Sequence, residues 1–205
     1  MKNVIALVFV CLLLVSGCSG PKVPDSKNIE GLLSEDFEVS SVKIAKVAAK
    51  SADSYEAEYT ARLVVKKSSS AKFKNWPAGE TVVASGKMLL TRTGKGWEKK
   101  SNKIIEAKPA LMLTLENLRV LRGSIGLYMV EHNGVMPGKI ANEPKEIYFP
   151  DPLPAEEITG TNRVVYSFDG AGGWYYCNDS KSKDYGNIRI NINGIDGKGK
   201  NYRSY

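Results

Sequence analysis

Side chains carrying oxygen donors gather at the turns near the carboxyl end. Asp169, Asn178, Asp179, Asp184 and Asp196 all fall in stretches rich in Gly, Asp, Asn and Ser. Carboxylates and amide carbonyls are the donors that calcium takes, about six to eight at a time. The spacing is not that of an EF-hand loop, and turn acids are more often simply solvated. Calcium on Asp169, Asp179, Asp184 and Asp196 therefore stands as one reading beside plain turn formation. Zinc has poor support, because one histidine, His132, and one cysteine, Cys177, are all that the chain offers after residue 18. No Ser, Cys or carboxylate sits in a recognisable nucleophile motif, and Gly194–Lys198 carries only part of a phosphate-loop spacing. The expectation is a protein that binds and does not catalyse. Trp76, Tyr175 and Tyr176 are its candidate contact residues, since aromatic side chains are enriched at interfaces. Tyr175 and Tyr176 are neighbours in a predicted strand, so one should face the core and the other away from it.

The first residues carry a different kind of chemistry. Met1-Lys2-Asn3 precedes an unbroken apolar run from Val4 to Val15, and Ser16-Gly17-Cys18 follows. A basic start, a short apolar core and small residues before a cleavage point make a secretory signal over residues 1–17. The run is shorter than the roughly 20 residues that a membrane-spanning helix needs. Leu14-Val15-Ser16-Gly17-Cys18 resembles the lipobox of bacterial lipoproteins. The resemblance implies a diacylglycerol on the Cys18 thiol, cleavage after Gly17 and acylation of the new amine. It also implies secretion across the inner membrane and anchoring in the envelope, with Ser19 favouring an outer membrane facing the periplasm. Cys11 leaves with the signal and Cys18 takes lipid, so Cys177 is expected to be a lone, buried, apolar residue.

Elements that would position the candidates can be read from periodicity. The formal net charge of +7 comes from scattered basic residues such as Lys66-Lys67 and Lys99-Lys100. No nucleic-acid motif accompanies them, so no nucleic-acid partner is expected. With 42% hydrophobic and 25% charged residues, folded cores are expected. Residues 18–27 contain Pro21 and Pro24 and read as a lipidated tether. Ile29, Leu32, Leu33 and Phe37 recur at helical spacing, and residues 39–47 alternate roughly. Tyr55, Ala57, Tyr59, Ala61 and Leu63 share one side of a strand. Thr81 to Thr93 is a second strand, and Gly94-Lys95-Gly96 turns it into a third beginning at Trp97. These make an α+β unit over residues 28–107.

Leu111, Leu115, Leu118, Leu121, Ile125 and Tyr128 then predict a long helix from Ala110 to His132, stopped by Asn133-Gly134. Gly123 and Gly126 within it suggest close packing of a sheet against that stretch. Strands near 163–168, 173–177 and 187–192 predict a small antiparallel meander under the helix, giving a second α+β unit over residues 108–205.

Two further resemblances bear on these units. The pattern from Thr81 to Trp97 is similar to the second half of cystatin-like domains, where a long strand turns through Lys-Gly-Trp into the last strand. No activity follows from that likeness. Leu118 to Tyr128, with His132-Asn133-Gly134 and Met136-Pro137, resembles the end of the long helix in type II secretion pseudopilins and type IV pilins. Gly172 to Tyr176, Gly186 to Asn191 and Asp196 to Lys200 follow in the order of that family's closing strands and tail. A pilin subunit starts with a prepilin cleavage site and an apolar polymerising helix, whereas here a lipidated Cys18 and another unit precede the pilin-like helix. The resemblance therefore implies an accessory of a pilus or secretion apparatus, with pilins or secretion components as partners. A ligand-binding or adhesive surface lipoprotein, unrelated to any machine, is the alternative.

Overall fold

Tyr55, Ala57, Tyr59, Ala61 and Leu63 are all buried, while Glu56, Glu58, Thr60 and Arg62 between them keep contact with solvent. This period of two is what a strand with one core face requires. The computed structural model of the chain describes residues 23–34, 37–66, 76–140 and 147–205. Strands β1 (Phe37–Ala49), β2 (Ser54–Val65), β3 (Thr81–Thr93) and β4 (Gly96–Pro109) form an antiparallel sheet in chain order. Register shifts interrupt β1/β2 and β3/β4, and such bulges add twist and curl a sheet. Helix α1 (Ser26–Leu33) lies in the curl, burying Ile29 and Leu33 and touching both edge strands, β1 and β4. Lys99 Nζ donates to the Leu32 carbonyl at 2.8 Å, and Lys66 Nζ to that of Ser34 at 2.8 Å.

Two boundaries differ here from the sequence reading. Asp25 and Asn28 form a reciprocal capping box, each side chain accepting the other's backbone N–H at 2.9 Å. The helix therefore starts inside the segment read as tether. Phe37, read as the last residue of the helical pattern, opens β1 instead and buries its ring in the same core.

Across β2 and β3, Tyr59 stands opposite Gly86 and its hydroxyl donates to Asn102 on β4 at 2.8 Å. The ring lies over the glycine: a Cβ at position 86 would sit 2.7 Å from the Tyr59 oxygen. Burial raises the pKa of that phenol, with the Asn102 bond acting in the opposite sense.

β4 ends at Pro109, and α2 (Ala110–Glu131) begins with the next residue. No linker separates them, so the division read at residue 107 falls inside a strand. Ala110, Thr114, Leu118, Leu121 and Ile125 are buried along one side of α2. The helix stops as expected: Asn133 takes φ 53°, and Gly134 N–H donates to the Met129 carbonyl at 2.8 Å. Gly123 and Gly126 do not meet a sheet; an added Cβ at either would have nothing within 4 Å. Glycine inside a helix looks the same in sequence whether a neighbour crowds it or solvent surrounds it.

The second sheet joins β5 (Val164–Val165), β6 (Ala171–Tyr176) and β7 (Ile188–Ile192) in that order. The predicted meander is wrong in one pairing, because β5 runs parallel to β6. Gly170, Gly172 and Gly173, all with positive φ, fold the chain back so that Trp174 N–H reaches the Arg163 carbonyl at 2.9 Å. Asp169 holds that return: it accepts both arms of the Arg163 guanidinium, at 2.9 and 2.7 Å, and the Ala171 N–H at 3.0 Å. The core under α2 contains Trp174, Tyr176, Ile188 and Ile190, with Ile140 and Phe149 from the connecting loop. The fold is α+β, with two helices and two sheets.

Candidate functional site

Three segments far apart in sequence meet beside the start of α2. The helix contributes Leu111, Met112 and Leu115, with Glu116 and Arg119 one turn further on. Steps of three and four bring these side chains to one flank.

The second wall is the loop 76–80, carrying Trp76, Pro77 and Glu80. Backbone bonds stitch it to the end of β2: Gly79 N–H to the Val65 carbonyl at 2.8 Å, and Val65 N–H to that of Glu80 at 3.0 Å. Gly79 takes φ 85°, which the tight return needs.

The third wall is the turn at Asp196-Gly197-Lys198 together with Tyr205. Asp196 organises it by accepting the N–H groups of Lys198 at 2.8 Å and Lys200 at 2.9 Å, and the Tyr205 hydroxyl. The Tyr205 bond and the two backbone donors hold the Asp196 carboxyl below its usual pKa. The same bond raises the Tyr205 phenol. Lys200 Nζ lies 3.6 Å from the Tyr205 ring centre, and Arg122 donates to the carbonyls of Tyr205 and Ile188.

Together the walls enclose a cleft of about 530 Å³. It adjoins a hollow of about 400 Å³ that shares Pro77, Glu80, Leu111 and Asp196 and adds Thr81, Ile158 and Tyr202. These volumes lie in the range of ligand sites, roughly 300–1,000 Å³. Glu80, Glu116, Arg119 and Lys198 make no side-chain hydrogen bond or ion pair among the described residues. The cleft thus has an apolar middle and charges of both signs that lack a direct hydrogen-bonded partner, Lys198 being offset in part by Asp196 and Glu116 by Lys108. Arg62 of β2 ties the first sheet to the loop ahead of β5, donating to the Glu157 carbonyl at 2.6 Å and to its carboxylate at 2.7 Å.

Of the contact residues read from sequence, only Trp76 lines this cleft. Tyr175 is half-buried and meets Phe168 edge-on at 6.1 Å. Tyr176 is no contact residue: it is fully buried, and its hydroxyl donates to the Pro137 carbonyl at 2.7 Å. Strand parity predicts that one of the pair faces inward but not which one. Cys18, the proposed lipid site, lies outside the described residues.

The four turn acids are not brought together, and among the described residues no group of three metal-ligating side chains forms. Asp169 binds Arg163, Asp179 accepts the Lys181 N–H at 2.9 Å, Asp184 binds Arg189 at 2.8 Å, and Asp196 closes its own turn. His132 caps α2, its ring stacked on Tyr128 at 3.8 Å, and Cys177 is buried.

Sequence reading missed Leu111, Met112, Leu115 and Arg119 as a binding wall. One signal was present. Met112, Val120, Leu127 and Val130 are exposed on α2 away from its buried row, interspersed with the charged Glu116 and Arg119. No protein-family model matches this chain, and neither the curated proteins nor the solved structures contain a match to it.

Proposed function

We propose that the chain is a lipid-anchored, non-enzymatic binding or assembly component of the cell envelope, working as an accessory of a type II secretion or type IV pilus-like apparatus. The exposed apolar residues on the outer side of α2 carry the binding part of this reading. Met112, Val120, Leu127 and Val130 are 44%, 49%, 47% and 72% exposed. An amphipathic helix on a core ordinarily shows polar residues on its outer side. A row of large apolar side chains in water marks a contact surface. Gly123 and Gly126, with open space around them, leave room for a close approach. The anchor rests on the signal ending at Cys18, and the apparatus on the likeness of residues 118–137 to a pilin helix end.

The test is a pull-down from detergent-solubilised membranes with a carboxyl-terminal tag, read by mass spectrometry. Wild type, Cys18→Ala and Val130→Asp are compared. Recovery of pilins or secretion-machine proteins by wild type, with loss in Val130→Asp, supports the reading. Equal recovery by Val130→Asp removes the helix side from it, and recovery of nothing from that class removes the apparatus. The cleft favours the second reading, a ligand-binding or adhesive lipoprotein unrelated to any machine, which an empty pull-down would promote.

A further inference from the structure

We infer that the cleft between loop 76–80, the first turns of α2 and the 196–198 turn receives an extended peptide segment of a partner protein. That segment carries an apolar anchor residue flanked by one acidic and one basic side chain. The inference rests on the binding reading above and names what is bound at this place.

Shape is the first argument. The cleft of about 530 Å³ runs on into the hollow of about 400 Å³ along a shared wall. A run of this kind suits an extended chain, which advances about 3.3 Å per residue, better than a compact small molecule.

The apolar middle is the second. Trp76, Leu111 and Leu115 offer a firm surface, and Met112, 44% exposed, an adaptable one. An aromatic or aliphatic anchor packs there as anchors do at other interfaces.

Charge decides among ligand classes. Glu80 and Glu116 on one side of the balance, Arg119 and Lys198 on the other, make no direct side-chain hydrogen bond or ion pair among the described residues, although Lys108 lies in the field of Glu116 and Asp196 in that of Lys198. A hydrocarbon chain in the cleft would strip water from these groups and give nothing back, which is costly. A glycan would satisfy the charges and waste the Leu and Met wall. A peptide with one acid and one base compensates both signs while its anchor covers the apolar middle. Arg119 fits the acidic partner best, because its planar fork accepts a carboxylate on two N–H groups.

The experiment uses the purified full chain in lipid nanodiscs and fluorescein-labelled peptides of about eight residues, roughly 26 Å when extended. One pool carries phenylalanine between an aspartate and a lysine, a second between two aspartates, and a third between uncharged residues. Anisotropy should show the mixed-charge pool binding at least about tenfold more tightly than the uncharged one. Arg119→Glu should weaken it about tenfold, and a peptide with its aspartate changed to lysine should recover the loss. Met112→Asp should weaken every pool, and Val130→Asp none. Both cleft positions are solvent-exposed, and melting curves verify that the variants fold.

Equal binding of the three pools overturns the inference, as does an Arg119→Glu variant that binds like wild type. So does binding of a fluorescent single-chain lysophospholipid or linear glycan, abolished by Met112→Asp, where no peptide binds. Peptide binding with an empty pull-down leaves the cleft assignment standing and removes the apparatus. Pull-down partners that survive Arg119→Glu but not Val130→Asp leave the helix side standing and remove the cleft.

Discussion

Around the first sheet burial follows the strand period, and the core is built largely of aliphatic side chains and Ala, with Tyr59 laid over Gly86. Around the second sheet the chain is held by particular polar groups reaching into loops. Glu156 is fully buried and accepts N–H groups from Ile158 at 2.5 Å, Thr159 at 3.2 Å and Gly173 at 3.4 Å. Asn191, also buried, accepts from Asp169 and Gly170 and donates to the Gly172 carbonyl at 2.8 Å. Trp174 Nε1 donates to the Pro154 carbonyl at 2.9 Å. A core of many equivalent apolar contacts shares the loss of any one of them. A core organised by a few buried polar groups does not, because each removal strands donors away from water. The two halves should therefore respond to mutation differently even though both are packed.

The largest test of that contrast is Trp174→Ala, which empties the second core and strands the Pro154 carbonyl. It should cost about 3–5 kcal/mol in urea denaturation. A loss below about 1 kcal/mol would mean that the ring organises nothing. Glu156→Ala comes next, at roughly 2–4 kcal/mol in all, less than the sum of about 1–3 kcal/mol for each stranded donor because water entering the vacated space pairs with some of them. Its counterpart in the first sheet, Tyr59→Phe, removes one hydroxyl bond and should cost about 0.5–1.5 kcal/mol. Equal costs for the two would break the comparison.

Arg62→Ala sharpens it from another direction. The Arg62–Glu157 pair joins the halves with side chains only 14% and 22% exposed, so its loss should cost about 1.5–3 kcal/mol. Tryptophan fluorescence and far-ultraviolet dichroism should unfold together in wild type and separate in this variant. Coincident transitions in both would show that the two cores remain one cooperative unit without the bridge.

Acid should also weaken the second half. Asp169 lies well below its ordinary pKa of 3.8, chiefly through Arg163, then Ala171 N–H and Asn191. Asp196 is lowered chiefly by Tyr205. Both bind fewer protons when folded, so their contribution is fully present above the unfolded value of 3.8 and is lost as pH falls through the folded values. Melting temperature should drop steeply below about pH 4 in wild type and less steeply in an Asp169→Asn, Asp196→Asn double variant. Parallel slopes would assign the acid sensitivity to other carboxylates. The smallest effect has the opposite sign. Gly123→Ala, in open space on an exposed helix, should raise stability by up to about 1 kcal/mol.

The same contrast explains what could be read from the sequence. Alternation placed β2, and it bounded β3 at Thr81–Thr93 as the structure has it. The helical stripe placed α2 to within a residue. These features are local and periodic. The parallel pairing of β5 with β6 depends on three glycines with positive φ and on Asp169 gripping Arg163, and nothing periodic announces it. The cleft joins residues near 76, 112 and 196, so no short motif could contain it. Trp76 stands out by its type alone, while Arg119 lies within the pilin-like helix run and carries no local mark of a cleft residue.

Pro109 ends a strand and Ala110 starts a helix, and the proline ring fixes one of the few torsions at that joint, with φ at −55°. The 22 residues of α2 make an arm about 33 Å long. β4 in turn holds α1 through Lys99 and the Leu32 carbonyl. The strand that runs without a linker into α2 is thus also the strand that ties down α1, so one continuous stretch of chain reaches from helix to helix.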